Sequence, residues 1–226
     1  MTPRYPRIPH LAAGAGVARD DLVLDVGARE RLLSGRVLIE EKLDGANLGI
    51  SLTSTGDLEV ASRGGPGAID RGRHLGRARA WVAEHSDGLR DLLADGSSLY
   101  GEWLLTRHGV GYHMLPDLFV GFDLLNREKG WASVHERDER LHRAGVSIPP
   151  SLCECEGIRL AAIDELMGPS AFGAPHIEGV IVRAVDPSPG VTRLAKRLAV
   201  SLQRVTDQTF GGSRKENRLA HPIARQ

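Results

Sequence analysis

The stretch Arg36–Leu52, RVLIEEKLDGANLGISL, decides how the rest of the chain is interpreted. Two apolar runs, Val37–Ile39 and Leu48–Leu52, have the composition of strands, and the Asp44-Gly45 dipeptide between them is typical of a hairpin turn. This arrangement places Lys42 at the end of a strand. A lysine amine held at the mouth of a pocket can act as a nucleophile. The alternative is an exposed hairpin on which Lys42 pairs with an acid of the same stretch.

Composition sets the broad class of the protein. The chain has 226 residues, of which 41% are hydrophobic and 26% charged, so it can bury a core as one domain with or without a small extension. Lys+Arg and Asp+Glu both number 29, so a basic surface for nucleic acid would have to be local. No apolar window approaches the length of a membrane span, and the N-terminus lacks the apolar run of a signal peptide. We expect a cytoplasmic protein with no membrane partner, and we expect Cys153 and Cys155 to be reduced structural residues.

The rest of the pattern predicts strands and helices in mixed order. Strand candidates are 58–62, 98–105, 117–125 and 177–183, and helix candidates are 74–93, 135–144 and 158–167, while 192–202 fits either type. We expect 98–105 to pair antiparallel with 117–125, and the β-branched run 177–183 to be a central strand. Because the order is no strict βαβ repeat, the predicted fold class is α+β with antiparallel sheets. We divide the chain into an extended N-terminal arm at 1–20, one domain at 21–205 and a basic C-terminal tail at 206–226.

Charged and aromatic residues recur where these strands end. They are Lys42, Arg63, Glu102, Phe122 with Asp123, and Glu178. Strand ends that converge on a cleft commonly build small-molecule sites. A lysine, an arginine, two acids and an aromatic ring suit a nucleoside triphosphate, because they provide for its phosphates, its ribose, its base and a metal ion.

The same residues carry a resemblance to a known superfamily. The segments are Lys42-Leu43-Asp44-Gly45, Ser62-Arg63-Gly64, Tyr100-Gly101-Glu102, Phe119-Val120-Gly121-Phe122-Asp123, Glu178-Gly179-Val180-Ile181-Val182-Arg183 and Lys196. In this order they look like the motifs of the covalent nucleotidyltransferases, which include ATP-dependent DNA ligases, RNA ligases and mRNA capping enzymes. The resemblance implies an ATP-grasp-like nucleotidyltransferase fold, with antiparallel sheets flanked by helices around an ATP cleft.

The resemblance also implies a role for each matching residue. Lys42 would attack the α-phosphate of ATP to form lysyl-AMP, assisted by Lys196, while Glu178 would bind Mg²⁺ or Mn²⁺. The implied ATP-binding residues are Glu41, Lys42, Asn47, Arg63, Glu102, Phe122 and Lys196. Glu102 would contact the ribose and Phe122 would stack on adenine. Phe119 is expected to point to the other face of the strand, so only one of the two rings can stack. The alternative for Glu102 and Glu178 is a structural ion pair with a nearby arginine, such as Arg107 or Arg183.

Within the superfamily the chain most resembles RNA ligases. Asn47 matches an asparagine that they carry after the lysine motif, and Tyr5–His10 and Arg107–Tyr112 look like segments of a bacterial and phage group. The implied partners are ATP and RNA ends with a 5′-phosphate and a 3′-hydroxyl, with RNA repair as the setting. One departure lies in the last basic motif, which usually has a second cation shortly after the first: Lys196 is followed by Arg197, Leu198 and Ala199, so Arg193 or Arg197 would have to serve. This departure favours the alternative of a retired module that only binds nucleotide or RNA. Transfer of AMP to another acceptor, such as a DNA nick or a small-molecule phosphate, is a second alternative.

Two basic clusters are expected to bind the RNA backbone. Between Arg193 and Gln226 the chain carries eight cations and two acids, and a second cluster comprises Arg63, Arg71, Arg73, Arg77 and Arg79. Such contacts would weaken steeply as salt rises. On this interpretation, removing the residues after Asp207 should weaken RNA binding and spare self-adenylation, unless the tail is only a solvated extension.

Overall fold

The protein is described here from a computed structural model, which covers residues 2–14, 17–62, 73–187, 192–199 and 215–220. The elements in chain order are α1 (Val26–Ser34), β1 (Arg36–Glu41), β2 (Ala46–Leu52), β3 (Leu58–Ser62), α2 (Arg73–Glu84), α3 (Ser86–Leu93), β4 (Ser98–Trp103), β5 (Phe119–Asn126), β6 (Gly130–Trp131), α4 (Val134–Arg143), β7 (Ser151–Glu156), α5 (Leu160–Glu165), β8 (Gly179–Ala184) and β9 (Leu194–Leu198). The fold class is α+β, as predicted, and every strand pair is antiparallel.

The chain divides into two compact units. The four-stranded unit comprises Arg7–Asp44, Thr106–Leu115 and Pro149–Gln226, and its sheet has the strand order β7-β1-β8-β9. The five-stranded unit comprises Met1–Pro6, Gly45–Leu105 and Pro116–Ile148, and its sheet has the order β3-β2-β4-β5-β6. The proposed division into arm, domain and tail stays a prediction, and residues 206–214 and 221–226 lie outside the described part of the chain.

The core of the four-stranded unit explains why β1 and β8 lie at its centre. Val37 and Ile39 of β1 pack with Val180 and Val182 of β8 in one cluster, and all four are fully buried. The opposite face of β1 is also buried, because Glu40 accepts a hydrogen bond from Arg183 Nε at 3.1 Å. The β-branched run 177–183 is therefore an interior strand, as its composition predicted.

Helix α4 has a side-chain cap at its start and a glycine beyond its end. Ser133 Oγ accepts a hydrogen bond from Glu136 N at 3.2 Å at the start of α4, and Gly145 beyond its end has a φ of 70°. The 74–93 candidate is two helices, α2 and α3, separated at His85. Among the described residues no helix combines the length and the apolarity that crossing a bilayer requires.

The hairpin between β1 and β2 was predicted wrongly. The two strands belong to different sheets, and Gly45 does not have the positive φ that a type I′ hairpin turn needs. Asp44 instead uses its side chain, because its Oδ2 accepts hydrogen bonds from Gly109 N at 2.5 Å and Val110 N at 2.7 Å. A glycine is required after it, since a Cβ on Gly45 would lie 2.5 Å from the carbonyl oxygen of Trp103.

Three elements were not predicted. Helix α1 begins at Val26 with Asp25 as its cap. Strand β7 contains both cysteines, and the short β6 pairs with the end of β5. Cys153 and Cys155 are both free and pack against the core cluster of the four-stranded unit. In the described part of the ambiguous segment 192–202, which is 192–199, residues Leu194–Leu198 form strand β9.

Candidate active site

The end of β1 meets the start of β8 at Lys42. Antiparallel pairing sets Glu41 opposite Val180, and Lys42 N donates a hydrogen bond to Gly179 O at 2.9 Å. Lys42 Nζ then donates to the carboxylate of Glu178, 136 residues away in sequence. The two side chains are 23% and 21% exposed. Lys42 thus pairs with an acid that is distant in sequence. The alternative of an exposed hairpin predicted a pair with an acid of the same stretch.

Lys196 joins this pair from the next strand. It lies on β9 opposite Ile181 of β8, and its charge acts on the Glu178 carboxyl. Burial raises the pKa of Glu178, while the charges of Lys42 and Lys196 lower it without cancelling the rise. The three residues predicted to be catalytic are therefore neighbours in the four-stranded unit.

His10 also belongs to this neighbourhood, although sequence reasoning left it out. The segment around it runs beside β9, with Lys196 N donating to Pro9 O and Leu11 N donating to Lys196 O, each at 2.9 Å. The imidazole is buried, and its Nε2 lies 3.4 Å from Asp21 Oδ2. Burial and the charge of Lys196 lower the pKa of His10, against the opposing charge of Asp21. The sequence signal for this placement is the Tyr5–His10 segment, which resembles a segment of RNA ligases but by itself indicates no role for His10.

Glu41 precedes Lys42, but its side chain is turned into the protein. It is 1% exposed, and its carboxylate accepts hydrogen bonds from Ser170 Oγ at 2.6 Å and Ala171 N at 3.3 Å. The predicted contact between Glu41 and ATP stays a prediction, while the described role of this carboxylate is to attach the 170–171 loop to the end of β1.

Replacing Glu41 with glutamine is expected to change the pH dependence of stability. Burial raises the pKa of Glu41, although the hydrogen bonds from Ser170 and Ala171 lower it, so the folded protein binds this proton more tightly than the unfolded chain. Wild-type stability should therefore fall as pH rises from the ordinary glutamate range through the raised pKa. A neutral amide removes this loss. The variant should gain free energy of unfolding relative to wild type with rising pH, measured by denaturant titration from about pH 4 to about pH 8. Parallel pH profiles would contradict the account.

The predicted ribose and phosphate contacts lie in the five-stranded unit. Asn47 on β2 and Glu102 on β4 are directly paired positions, and Glu102 Oε1 accepts a hydrogen bond from Gly45 N at 3.0 Å. Glu102 thereby fixes the start of β2 while remaining partly exposed. Arg63, the third predicted contact from this part of the chain, lies outside the described residues.

A bulge in β5 separates the two aromatic candidates. Tyr100 pairs with Asp123 and Gly101 with Gly121, so Phe122 is the extra residue of the longer strand. Phe119 is fully buried and packs on Trp81, as expected for the ring that cannot stack on a ligand. Phe122 is partly exposed and lies edge-on to Tyr5 at 5.1 Å between ring centroids. Its predicted contact with adenine stays a prediction.

Arg197, the cation that follows Lys196, forms an ion pair within the four-stranded unit. Arg197 forms a two-point ion pair with Asp164, through Nε at 2.8 Å and Nη2 at 2.9 Å. Successive residues of a strand point to opposite faces, so Arg197 does not share the face of Lys196. In the part of the chain that the structure describes, no cluster of three or more His, Cys, Asp or Glu residues could hold a metal ion.

Comparison with known proteins gives one family. The model of the RNA ligase family matches residues 35–198. No curated protein sequence matches the chain.

Several solved structures share the fold. A mutant of the Naegleria gruberi RNA ligase in its apo form matches with a TM-score of 0.60 and 17% identity, over 79% of this chain and 54% of that one. Another mutant of that protein, with ATP and Mn, matches with a TM-score of 0.60 and 15% identity over 90% and 62%. The Naegleria gruberi RNA ligase with PPi matches with a TM-score of 0.60 and 16% identity over 89% and 62%. The chain thus spans 54% to 62% of these proteins, and the likeness at such identities concerns the fold.

Proposed function

Because the chain belongs to the RNA ligase family, we propose that it is an ATP-dependent RNA ligase that adenylates itself on Lys42. AMP would pass from Lys42 to the 5′-phosphate of an RNA end, and that end would be sealed to a 3′-hydroxyl. The observation that carries the proposal is the meeting of Lys42, Glu178 and Lys196 at adjacent strands of one sheet. RNA repair in the cytoplasm is the setting that we propose.

In the first step Lys42 Nζ attacks the α-phosphorus of ATP. A P–N bond forms, the bond from the α-phosphorus to the oxygen bridging to the β-phosphate breaks, and pyrophosphate leaves. The Lys42 amine must lose a proton for this attack, since an ammonium has no free electron pair. Glu178 orients Nζ through its hydrogen bond, and the cation of Lys196 offsets charge on the phosphates. ATP, PPi and AMP appear in structures of the Naegleria gruberi RNA ligase, which supports these three molecules as reactant and products of the step.

The second and third steps move AMP and then displace it. An oxygen of the RNA 5′-phosphate attacks the phosphorus of lysyl-AMP, the P–N bond breaks, and Lys42 regains its amine. The 3′-hydroxyl then attacks the activated 5′-phosphorus, gives up its proton, and AMP leaves as the phosphodiester forms. Lys42 takes part in the first and second of the three steps, so the position of its amine affects both.

Glu178 fits a divalent metal ion of the kind that accompanies ATP. Mg²⁺ binds through one or two carboxylates and takes its other ligands from water and phosphates, and Mn²⁺ accepts the same oxygen ligands. Such an ion would neutralise phosphate charge and favour the uncharged Lys42 amine. The Naegleria gruberi structures with Mn support a divalent ion in this family.

The sequence resemblance is the basis on which we propose further contacts to ATP. Glu102 retains exposed surface for a ribose hydroxyl, and Phe122 offers a ring face for adenine stacking. Asn47 lies directly across from Glu102 and would bind phosphate or the RNA end. Arg63 and Glu41 complete the proposed set on the strength of the sequence resemblance.

A panel of acceptors tests this function. The protein would be incubated with labelled ATP and Mg²⁺, then offered RNA and DNA ends that carry either a 5′-phosphate or a 5′-hydroxyl. We expect labelling of the protein, transfer to the 5′-phosphate RNA, and a sealed product that needs a 3′-hydroxyl. Transfer only to DNA or to a small phosphate would support a different adenylyltransferase. Absence of any labelled protein would support a binding module without turnover.

A further inference from the structure

The proposed nucleophile is supported by a chain of hydrogen bonds that begins at the C-terminal segment. Asp44, two residues after Lys42, donates its backbone N–H to the hydroxyl oxygen of Tyr112 at 2.9 Å. Its carboxylate also accepts the N–H groups of Gly109 and Val110. The turn that follows Lys42 is therefore attached to residues 109–112 at three points.

Tyr112 is in turn held by the segment Lys215–Ala220. The side-chain oxygen of Asn217 accepts the Tyr112 N–H at 2.8 Å, and Arg218 N donates to Tyr112 O at 3.0 Å. Both backbone polar groups of Tyr112 are thus bonded to this segment. Asn217 is 8% exposed, while residues 215, 216, 218 and 220 around it are exposed. Asn217 is consequently the buried polar anchor of an otherwise solvated segment.

Further backbone bonds fix the same segment along its length. Arg107 N donates to Lys215 O at 2.8 Å, Leu115 N to Arg218 O at 3.0 Å, and Ala220 N to Leu115 O at 2.8 Å. The segment therefore docks on both ends of the 107–115 loop. Residues 215–220 are therefore bound to the fold, so a solvated extension does not describe this part of the predicted tail.

The hydroxyl of Tyr112 lies among the groups of the site. The ring is fully buried, and the carboxylates of Glu41, Asp44 and Glu178 lie within electrostatic range of the hydroxyl. Burial raises the pKa of Tyr112, and these charges raise it further, so the phenol stays neutral at physiological pH. Its oxygen remains a hydrogen-bond acceptor for Asp44 under all conditions in which the enzyme would work.

We propose that Tyr112, anchored by Asn217, is a positioning residue that fixes the Lys42–Asp44 turn so that Lys42 Nζ is aligned for attack on the α-phosphate. This inference rests on the proposed function. In-line attack on phosphorus depends strongly on geometry, and a displacement of about 1 Å costs about 10²-fold in rate. Tyr112 would act on the rate of adduct formation and leave the affinity for ATP nearly unchanged.

Single-turnover adenylation of the full chain tests this role. The maximal rate of AMP adduct formation and the half-saturating ATP concentration would be measured for wild type, Tyr112→Phe and Tyr100→Phe. Tyr100 provides a matched control, because it is an equally buried ring whose hydroxyl donates to Pro3 O at 2.9 Å in the other unit. We expect Tyr112→Phe to lower the maximal rate about tenfold or more, with half-saturation changed less than about twofold. Tyr100→Phe should leave both kinetic values unchanged even if it lowers the melting temperature equally.

Variants of Asn217 give an independent measurement. Asn217→Ala removes the acceptor of the Tyr112 N–H and should slow adduct formation about threefold or more, whereas Asn217→Asp keeps an acceptor oxygen and should restore the rate to within about twofold. Removal of residues 208–226 should also slow the reaction, which is the opposite of what the sequence alone predicted for this truncation.

The possible outcomes separate the two proposals. A wild-type protein that forms no adduct would overturn the proposed function and the positioning role with it. A labelled wild type together with wild-type rates in folded Tyr112→Phe would overturn the positioning role alone. If Tyr112→Phe fails to fold, equal rates for Asn217→Ala and Asn217→Asp would overturn it instead.

Discussion

Replacing Lys42 with alanine is expected to reduce the covalent AMP adduct to background while the protein stays folded. Lys42 Nζ is the only atom to which the account assigns the P–N bond, so no other group should carry AMP. The pair with Glu178 is about one-fifth exposed, and burial already raises the pKa of Glu178. The orphaned carboxyl can therefore take up a proton instead of remaining as a buried charge, which limits the cost to stability.

Two further variants sharpen this test. Lys42→Arg keeps a cation beside Glu178 but offers no nucleophilic amine, so it should fold normally and remain unlabelled. Lys129→Ala removes an exposed lysine from the turn between β5 and β6 and should label at the wild-type rate. Labelling and circular dichroism together decide the matter, because an adduct that persists in folded Lys42→Ala would remove Lys42 from the mechanism.

Glu178→Gln is expected to give the second-largest effect. The amide keeps the shape of the side chain but loses the charge that orients Lys42 Nζ and that would bind the metal ion. Removing one such electrostatic group from an active site costs about 10²-fold to 10³-fold in rate. We expect a loss of this size in adduct formation with Mg²⁺, together with a melting temperature close to that of wild type.

The control for this variant is Glu165→Gln, which neutralises an exposed acid on α5 of the same unit. It should retain full activity. If Glu178→Gln keeps its rate but loses several kcal/mol of stability, the Lys42–Glu178 pair is structural. A metal titration of both variants adds a separate criterion, since only Glu178→Gln should require more Mg²⁺ for half-maximal labelling.

The sequence predicted the strands best where composition alone determines them. The run 177–183 is β-branched on both faces and forms an interior strand, and the period-two segment Leu58–Ser62 forms β3 as expected. The 98–105 and 117–125 candidates pair antiparallel, as β4 and β5. In each case local side-chain chemistry and burial agree, so no long-range information was needed.

The hairpin prediction was wrong because the conformation of Asp44-Gly45 is determined by contacts with residues distant in sequence. The partners of Asp44 lie in residues 109–112, and the close approach at Gly45 is to the backbone of Trp103. A local turn signal cannot report such contacts. Strand β7 was not predicted either. It is an edge strand that pairs with β1, and its alternating cysteines and acids give it no continuous apolar run.

The candidate site shows the same division between local and long-range information. Lys42, Glu178 and Lys196 could be picked out because each lies in or directly next to a strand and belongs to a recognisable motif. Tyr112 and Asn217 could not, because their contact links residues 105 positions apart through a backbone N–H, which leaves no pattern in the sequence. The motif Arg107–Tyr112 marked the right segment without indicating what its tyrosine contacts.

The most direct test of the account is to locate AMP on the wild-type protein. After incubation with ATP and Mg²⁺, trypsin digestion and tandem mass spectrometry would be used to find the modified residue. An adduct on Lys42 blocks cleavage there, so the predicted product is the peptide 37–63 carrying one AMP on its internal lysine. AMP on any other residue, or an unmodified folded protein that still binds ATP, would contradict the central claim that Lys42 is the adenylated nucleophile.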